Sequence, residues 1–201
     1  HYAAVDYAAN LFTITNNATV RVAPGTVIAR FGVAAIWMPD GSQLICEGTP
    51  RQPVRFTHFN AVQELSTNWG GVSLANSVTI HCWHGASPAP SAWFRFTDFE
   101  GLAGQGYQLY SQDETWSMAW LGLRDCTVSG GQVYWAGPGG VGLTNNLLDR
   151  VGLLLLSDGP LAYYRNHLRA GGLWAWDMGG HGWRFHDNVF DSPSFVASSE
   201  V

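Results

Sequence analysis

The sequence predicts an all-β solenoid, a parallel β-helix with about 20–24 residues per coil, and three observations carry that prediction. The first is a repeat: LRDCTVSGG over 123–131, LTNNLLDRV over 143–151, YRNHLRAGG over 164–172 and FHDNVFDSP over 185–193 superpose. Each sets a small or polar residue two positions before an apolar one, in the pairs Cys126/Val128, Asn146/Leu148, Asn166/Leu168 and Asn188/Phe190. A weaker match, FRFTDFEGL over 94–102, supplies Thr97/Phe99 one longer interval upstream. The second observation is that the apolar runs are short, rich in β-formers and broken by glycine, with no long helical periodicity. The third is composition: 24 glycines and 12% charged residues in 201, where a globular chain carries about 25% charged. Salt-bridged amphipathic helices do not build such a chain.

A leucine-rich repeat shares the period but needs a dense LxxLxLxxN frame, which is missing. In a parallel β-helix, equivalent residues of successive coils lie about 4.7–4.9 Å apart, so like stacks on like. Asn146, Asn166 and Asn188 are then expected to form an internal ladder, their amides bonding to one another and to turn backbone.

In chain order, residues 1–10 read as an N-terminal edge or cap. The stretches ATVRVAPGTVIARFG and AAIWMPDGSQLICEGTPRQPVRFTHFN, followed by NWGGVSL, alternate β-runs with turns at Pro24-Gly25, Asp40-Gly41 and Gly70-Gly71. Residues 87–91 read as a Pro-rich loop. The segment 102–120, holding Gln108, Asp113, Glu114, Trp116 and Trp120, is longer than a coil needs and is expected to project as a lip. The remainder supplies the regular coils, for eight or nine coils in a single domain over 1–201.

The succession of APGTVI, DGSQLICEGTPRQPVRFT and WGGV segments is similar to the opening coils of right-handed parallel β-helix proteins of the pectin lyase-like superfamily, and most resembles secreted bacterial β-helix repeat proteins. The resemblance spans roughly Leu11 to Phe195. It implies a right-handed helix and an extracellular or cell-surface setting in a bacterium. On function it implies no single answer, because the superfamily holds lyases, hydrolases, epimerases and adhesins.

Charge narrows the partners. All ten basic residues are arginine, against fifteen acidic ones, for a net charge of −5. Neutralising nucleic-acid phosphates needs a basic face, so nucleic acid is excluded as the expected partner. No apolar run approaches the roughly 20 residues of a membrane helix, so membrane insertion is not expected. Three cysteines, Cys46, Cys82 and Cys126, without a CxxC spacing support neither a zinc cluster nor a disulfide framework, and Cys126 reads as a buried thiol. No metal or cofactor is expected. The chain begins at His1 without a signal-peptide pattern, which reads as processed or excised from a longer polypeptide.

Candidate chemistry falls in two places. Polygalacturonase-like hydrolases combine an NxD element, an Asp pair, a GHG tripeptide and an RxK element, of which only Gly180-His181-Gly182 is present. Calcium-dependent lyases need carboxylates converging on one strand face and an arginine base. Asp177, Asp187 and Asp191 crowd the last coil with Arg184, so an enzyme built here would use Asp177, His181, Arg184 and Asp187, with calcium if a lyase. The second place is aromatic. Aligning 133–135 with 154–156 and 174–176 stacks Trp135, Trp174 and Trp176 on one set of strands. Facing inward they are core; facing outward, Trp135 and Trp176 form a ledge for sugar rings or a neighbouring chain.

The expected function is a non-catalytic extracellular module: a scaffold, an adhesin or a carbohydrate-contacting domain. The alternatives are a polysaccharide lyase or glycoside hydrolase, and a self-assembling surface or filament unit. The expected partners are polysaccharide, neighbouring β-helix chains or the rest of a longer polypeptide.

Overall fold

A computed structural model of the chain describes residues 6–9, 11–30, 34–39, 41–58, 68–69, 72–73, 78–82, 88–101, 106–112, 119–177 and 181–200. Short strands separated by one- to few-residue corners leave each coil unable to bury its apolar side chains alone, so the coils stack. The result is a right-handed parallel β-helix, which among the described residues has three parallel sheets, two of eight strands and one of seven, and no helix. We call them first, second and third sheet after the strands Thr127–Ser129, Gln132–Gly137 and Gly140–Thr144, which they respectively contain. Seven complete coils follow a partial one made of Tyr7–Ala9 and Phe12–Thr13, giving eight layers. A small antiparallel hairpin, Asn68–Trp69 with Val72–Ser73, stands outside the sheets.

The interior is filled column by column. In the first sheet Phe56, Phe99, Val128, Leu148, Leu168 and Phe190 follow one another in register. The rings of Phe56 and Phe99 stack at 5.0 Å and 7° between planes, and Phe94 of the third sheet meets Phe99 edge-on at 5.1 Å. In the second sheet the inward column Ser111, Trp135, Leu155, Ala175 sets the large indole between small and medium neighbours, as close packing requires. Cys46, Cys82 and Cys126 are all buried and unbridged.

Corners are where sequence and backbone meet most tightly. Phe96, Asp125, Asn145, Arg165 and Asp187 occupy equivalent places between third and first sheets, each with φ between 45 and 56°. A second left-handed corner, between first and second sheets, holds Gly130, Arg150, Ala170 and Ser192. A single left-handed residue bends the chain and lets the main-chain ladder run on: Asp125 N donates to Thr144 O, Asn145 N to Tyr164 O and Arg165 N to His186 O. Bending leaves the next residue's amide turned inward, and the three asparagines meet it. Asn146 Oδ1 accepts from Cys126 N at 2.9 Å, Asn166 Oδ1 from Asn146 N at 3.0 Å, and Asn188 Oδ1 from Asn166 N at 2.8 Å. Their Nδ2 groups donate to Leu123 O, Leu143 O and Tyr163 O of the preceding coil. The corner amides of Cys126, Asn146 and Asn166 are thereby satisfied, with Asn146 and Asn166 themselves buried.

Part of the expected lip, 102–105 and 113–118, lies outside the described residues, as do 1–5 and 10 of the expected N-terminal edge. Between the two lip segments, Tyr107–Gln112 is a strand of the second sheet, with a register shift between Tyr107 and Leu109. Gln108 at that shift is buried and accepts a hydrogen bond from Thr79 Oγ1 at 3.0 Å.

Candidate functional site

The second sheet corrects the alignment of its aromatic residues. Val133 pairs with Leu153 and Leu173, one residue away from the sequence alignment, because the corner before each strand has a fixed length. Trp135 therefore faces inward at 1% exposure and is no part of a ledge, while Trp174 and Trp176 face outward at 46% and 37%. Beside the column that starts at exposed Gln132, two further columns carry aliphatic and aromatic side chains. One carries Ala136, Leu156 and Trp176; the other runs Trp37, His81, Tyr110, Tyr134, Leu154, Trp174 through six successive coils.

In that second column Trp37 and His81 stack at 5.9 Å and 13°, His81 meets Tyr110 edge-on at 5.2 Å, and Tyr110 stacks on Tyr134 at 5.3 Å and 28°. Strand spacing brings neighbouring rings together, which is worth about 0.5–1.5 kcal/mol per pair beyond area burial. The partial burial of the row lowers the pKa of His81, favouring neutral imidazole, and raises that of Tyr110. From Trp37 to Leu154 the column is half-buried and then opens at Trp174, the most exposed ring of the row.

The four residues considered for catalysis occupy separate stations of the last turns. Asp177 ends the strand Gly172–Asp177 of the second sheet, and its side chain lies outside the described residues. His181 is exposed in the connection to the third sheet; Gly180 lies outside the described residues. Arg184 opens the strand Arg184–His186, paired with Ala162 and facing outward because Phe185 takes the inward column. Asp187 is the left-handed corner itself, its side chain 71% exposed and 3.9 Å from Arg165 Nε. It repeats the station of Asp125, which accepts from Asn145 Nδ2 at 2.6 Å. Its position therefore has an architectural reason: Asp and Asn tolerate the left-handed region better than most side chains. Among the described residues no cluster of three His, Cys, Asp or Glu is placed to hold a metal ion.

The third sheet carries an aromatic feature that sequence reading missed. Trp93 and Trp120 stack at 5.4 Å and 24° on its outer face. They line a groove of about 290 Å³ together with Glu47, Arg95, Gly122, Arg124, Gly142 and Thr144. The glycines are its bed. A Cβ at Gly122 would stand 2.8 Å from Trp93 Cε3, one at Gly142 3.0 Å from Trp120 Cζ2, and one at Gly140 would enter the Trp120 ring. A signal is present: LGLR over 121–124 and VGLT over 141–144 repeat a glycine at one coil station, one residue upstream of the repeat segments at 123 and 143.

Comparison with protein-family models, with curated proteins and with solved structures finds no match.

Proposed function

We propose that this chain is a non-catalytic recognition module of an extracellular or cell-surface protein, related to the pectin lyase-like β-helices, that contacts carbohydrate with the outer face of its second sheet. The observation that carries the reading is the outward aromatic row ending in Trp174, with Trp176 beside it. An exposed indole face offers apolar area to the C–H faces of a sugar ring, and a row of rings at strand spacing suits an extended chain. Parallel sheets have their faces covered as a rule, so the two exposed indoles, Trp174 and Trp176, are where an occupant would gain most apolar contact. Binding without turnover fits the other end of the coil as well: Asp187 is solvent-exposed and tied to a corner, where an acid–base catalyst needs a partly desolvated cleft.

The test is affinity electrophoresis against a panel of neutral and acidic polysaccharides, alongside assay of reducing and unsaturated sugar release with and without calcium. The reading expects retardation by a neutral polysaccharide, weakened about tenfold by Trp174→Ala and Trp176→Ala, and no sugar release. Release abolished by Asp187→Ala or His181→Ala would overturn it in favour of a lyase or hydrolase.

A further inference from the structure

We propose that the groove on the third sheet is a second, separate binding site, and that it takes a sulfated sugar ring. Three features of the groove point there, and none is shared with the second sheet. The first is the platform. Trp93 is 47% exposed although its partner Trp120 is half-buried against Gly140 and Gly142. Three glycines on two successive coils give up side-chain packing so that two indoles can lie flat against the sheet, which leaves a face of Trp93 open to a planar or puckered ring.

The second feature is charge. Arg95 and Arg124 are partners in register on neighbouring strands, facing outward. Like charges directly opposite one another destabilise a sheet. One carboxylate serves both: Asp125 Oδ2 lies 3.5 Å from Arg95 Nε and 3.5 Å from Arg124 Nε. The other acid at this lip, Glu47, stands 3.8 Å from Arg21 Nη1. Glu47 also stands in register with Arg95 on its other side, so the lip sets Arg95 and Arg124 between Glu47 and Asp125, with the two guanidiniums side by side. An anion held between Arg95 and Arg124 relieves that repulsion.

The third feature selects among anions. Asp125 reaches each arginine only through Nε at 3.5 Å, and Arg95 lies over the Phe96 ring at 5.0 Å, so the carboxylate leaves most of the five N–H donors of each guanidinium for a ligand. A carboxylate has two oxygens, enough for one bidentate fork; shared between two arginines, as Asp125 is, it gives each only one long contact. A sulfate ester has three terminal oxygens and serves two forks one strand spacing apart, while its sugar ring rests on Trp93.

The test is native electrophoresis of the full chain in gels containing dextran sulfate, unmodified dextran or polygalacturonate, each variant being checked for an unchanged thermal transition. The expected result is retardation by dextran sulfate and not by dextran, weakened about tenfold by Trp93→Ala and by Arg124→Gln, and unaffected by Trp174→Ala. Arg95→Gln, at a second exposed position, repeats the charge test should Arg124→Gln alter the fold. Retardation as strong in polygalacturonate overturns the choice of sulfate. Retardation that survives Trp93→Ala reports diffuse attraction of a polyanion and overturns the ring site. Loss in Trp174→Ala alone assigns the binding to the second sheet, which overturns this site and leaves the proposed function standing.

Discussion

Asn166 Oδ1 receives both amides of Asn146, the main-chain N–H at 3.0 Å and the side-chain Nδ2 at 2.9 Å. The same asparagine donates through its own Nδ2 to Leu143 O at 2.9 Å, so one side chain closes three hydrogen bonds between neighbouring coils. All of these groups are buried, where an unmade hydrogen bond costs the full desolvation of the group left behind.

Asn166→Ala is therefore expected to lower stability by about 3 kcal/mol, measured by denaturant unfolding, since it orphans a buried amide and a buried carbonyl. Asn188→Ala is expected to cost less, because its bonds to Asn166 and Tyr163 lie in a partly buried coil that water reaches. Equal losses at the two positions would show that the ladder does not depend on burial.

Gly140→Ala forces the Trp120 ring off its bed. Overpacking of this kind costs about 1–3 kcal/mol. In the Trp120→Ala background the same change meets no ring, so the double mutant should be more stable than the sum of the single losses predicts. Additive losses in denaturant melts would refute the contact.

Two groups give the pH dependence of stability opposite origins but the same sign. His81 has a pKa lowered by burial from its ordinary 6.5, so the unfolded chain binds the proton more readily and stability falls as pH drops below 6.5. Asp149, its side chain 8% exposed, has a pKa held below the ordinary 3.8, first by the hydrogen bond from Arg169 at 2.8 Å and then by that from Arg150 at 3.1 Å. Its contribution is present above pH 3.8 and is lost as pH falls below it. Wild type should lose stability between pH 7 and 5 where His81→Phe does not, and Asp149→Asn should flatten the loss near pH 4 and under.

The three thiols are expected to resist modification in the native state. Burial raises the pKa of each of Cys46, Cys82 and Cys126, the last to about 12, which removes the reactive thiolate. Titration with a thiol reagent should find none at neutral pH without denaturant and three with it. Rapid native reaction of any one would show that its coil opens locally.

The sequence discloses the solenoid because the corner is repeated one coil after another: Asn146, Asn166 and Asn188 cannot drift without stranding a buried amide, so their 20- and 22-residue intervals survive in print. Thr97 and Cys126 belong to the same column, yet their side chains turn to Arg95 O and Arg124 O two residues back, which is why the match weakens upstream. The outward faces are harder to read. A strand apolar on both sides, such as Gly152–Ser157, has no alternation to announce which residues face the interior, and a one-residue shift in alignment exchanges the two faces. That shift put Trp135 on one face with Trp174 and Trp176, whereas Trp135 faces inward and the other two outward. Trp120, expected in the projecting lip, instead opens a strand of the third sheet, and its pairing with Trp93 is hard to read because their packing partners are glycines, which carry no hydrophobic signal.

The corner that keeps coils in step also separates what the solenoid is from what it displays. Inward columns and left-handed corners maintain the register, whereas the residues of the outward columns answer to nothing but their neighbours above and below. The surface thus works as a ruler whose graduations are strands. Splicing a further twenty-residue coil between two ladder asparagines would add one graduation to each outer face and leave the existing marks unmoved. Recognition length on this scaffold can grow by duplication, with the chemistry of each new mark chosen afterwards.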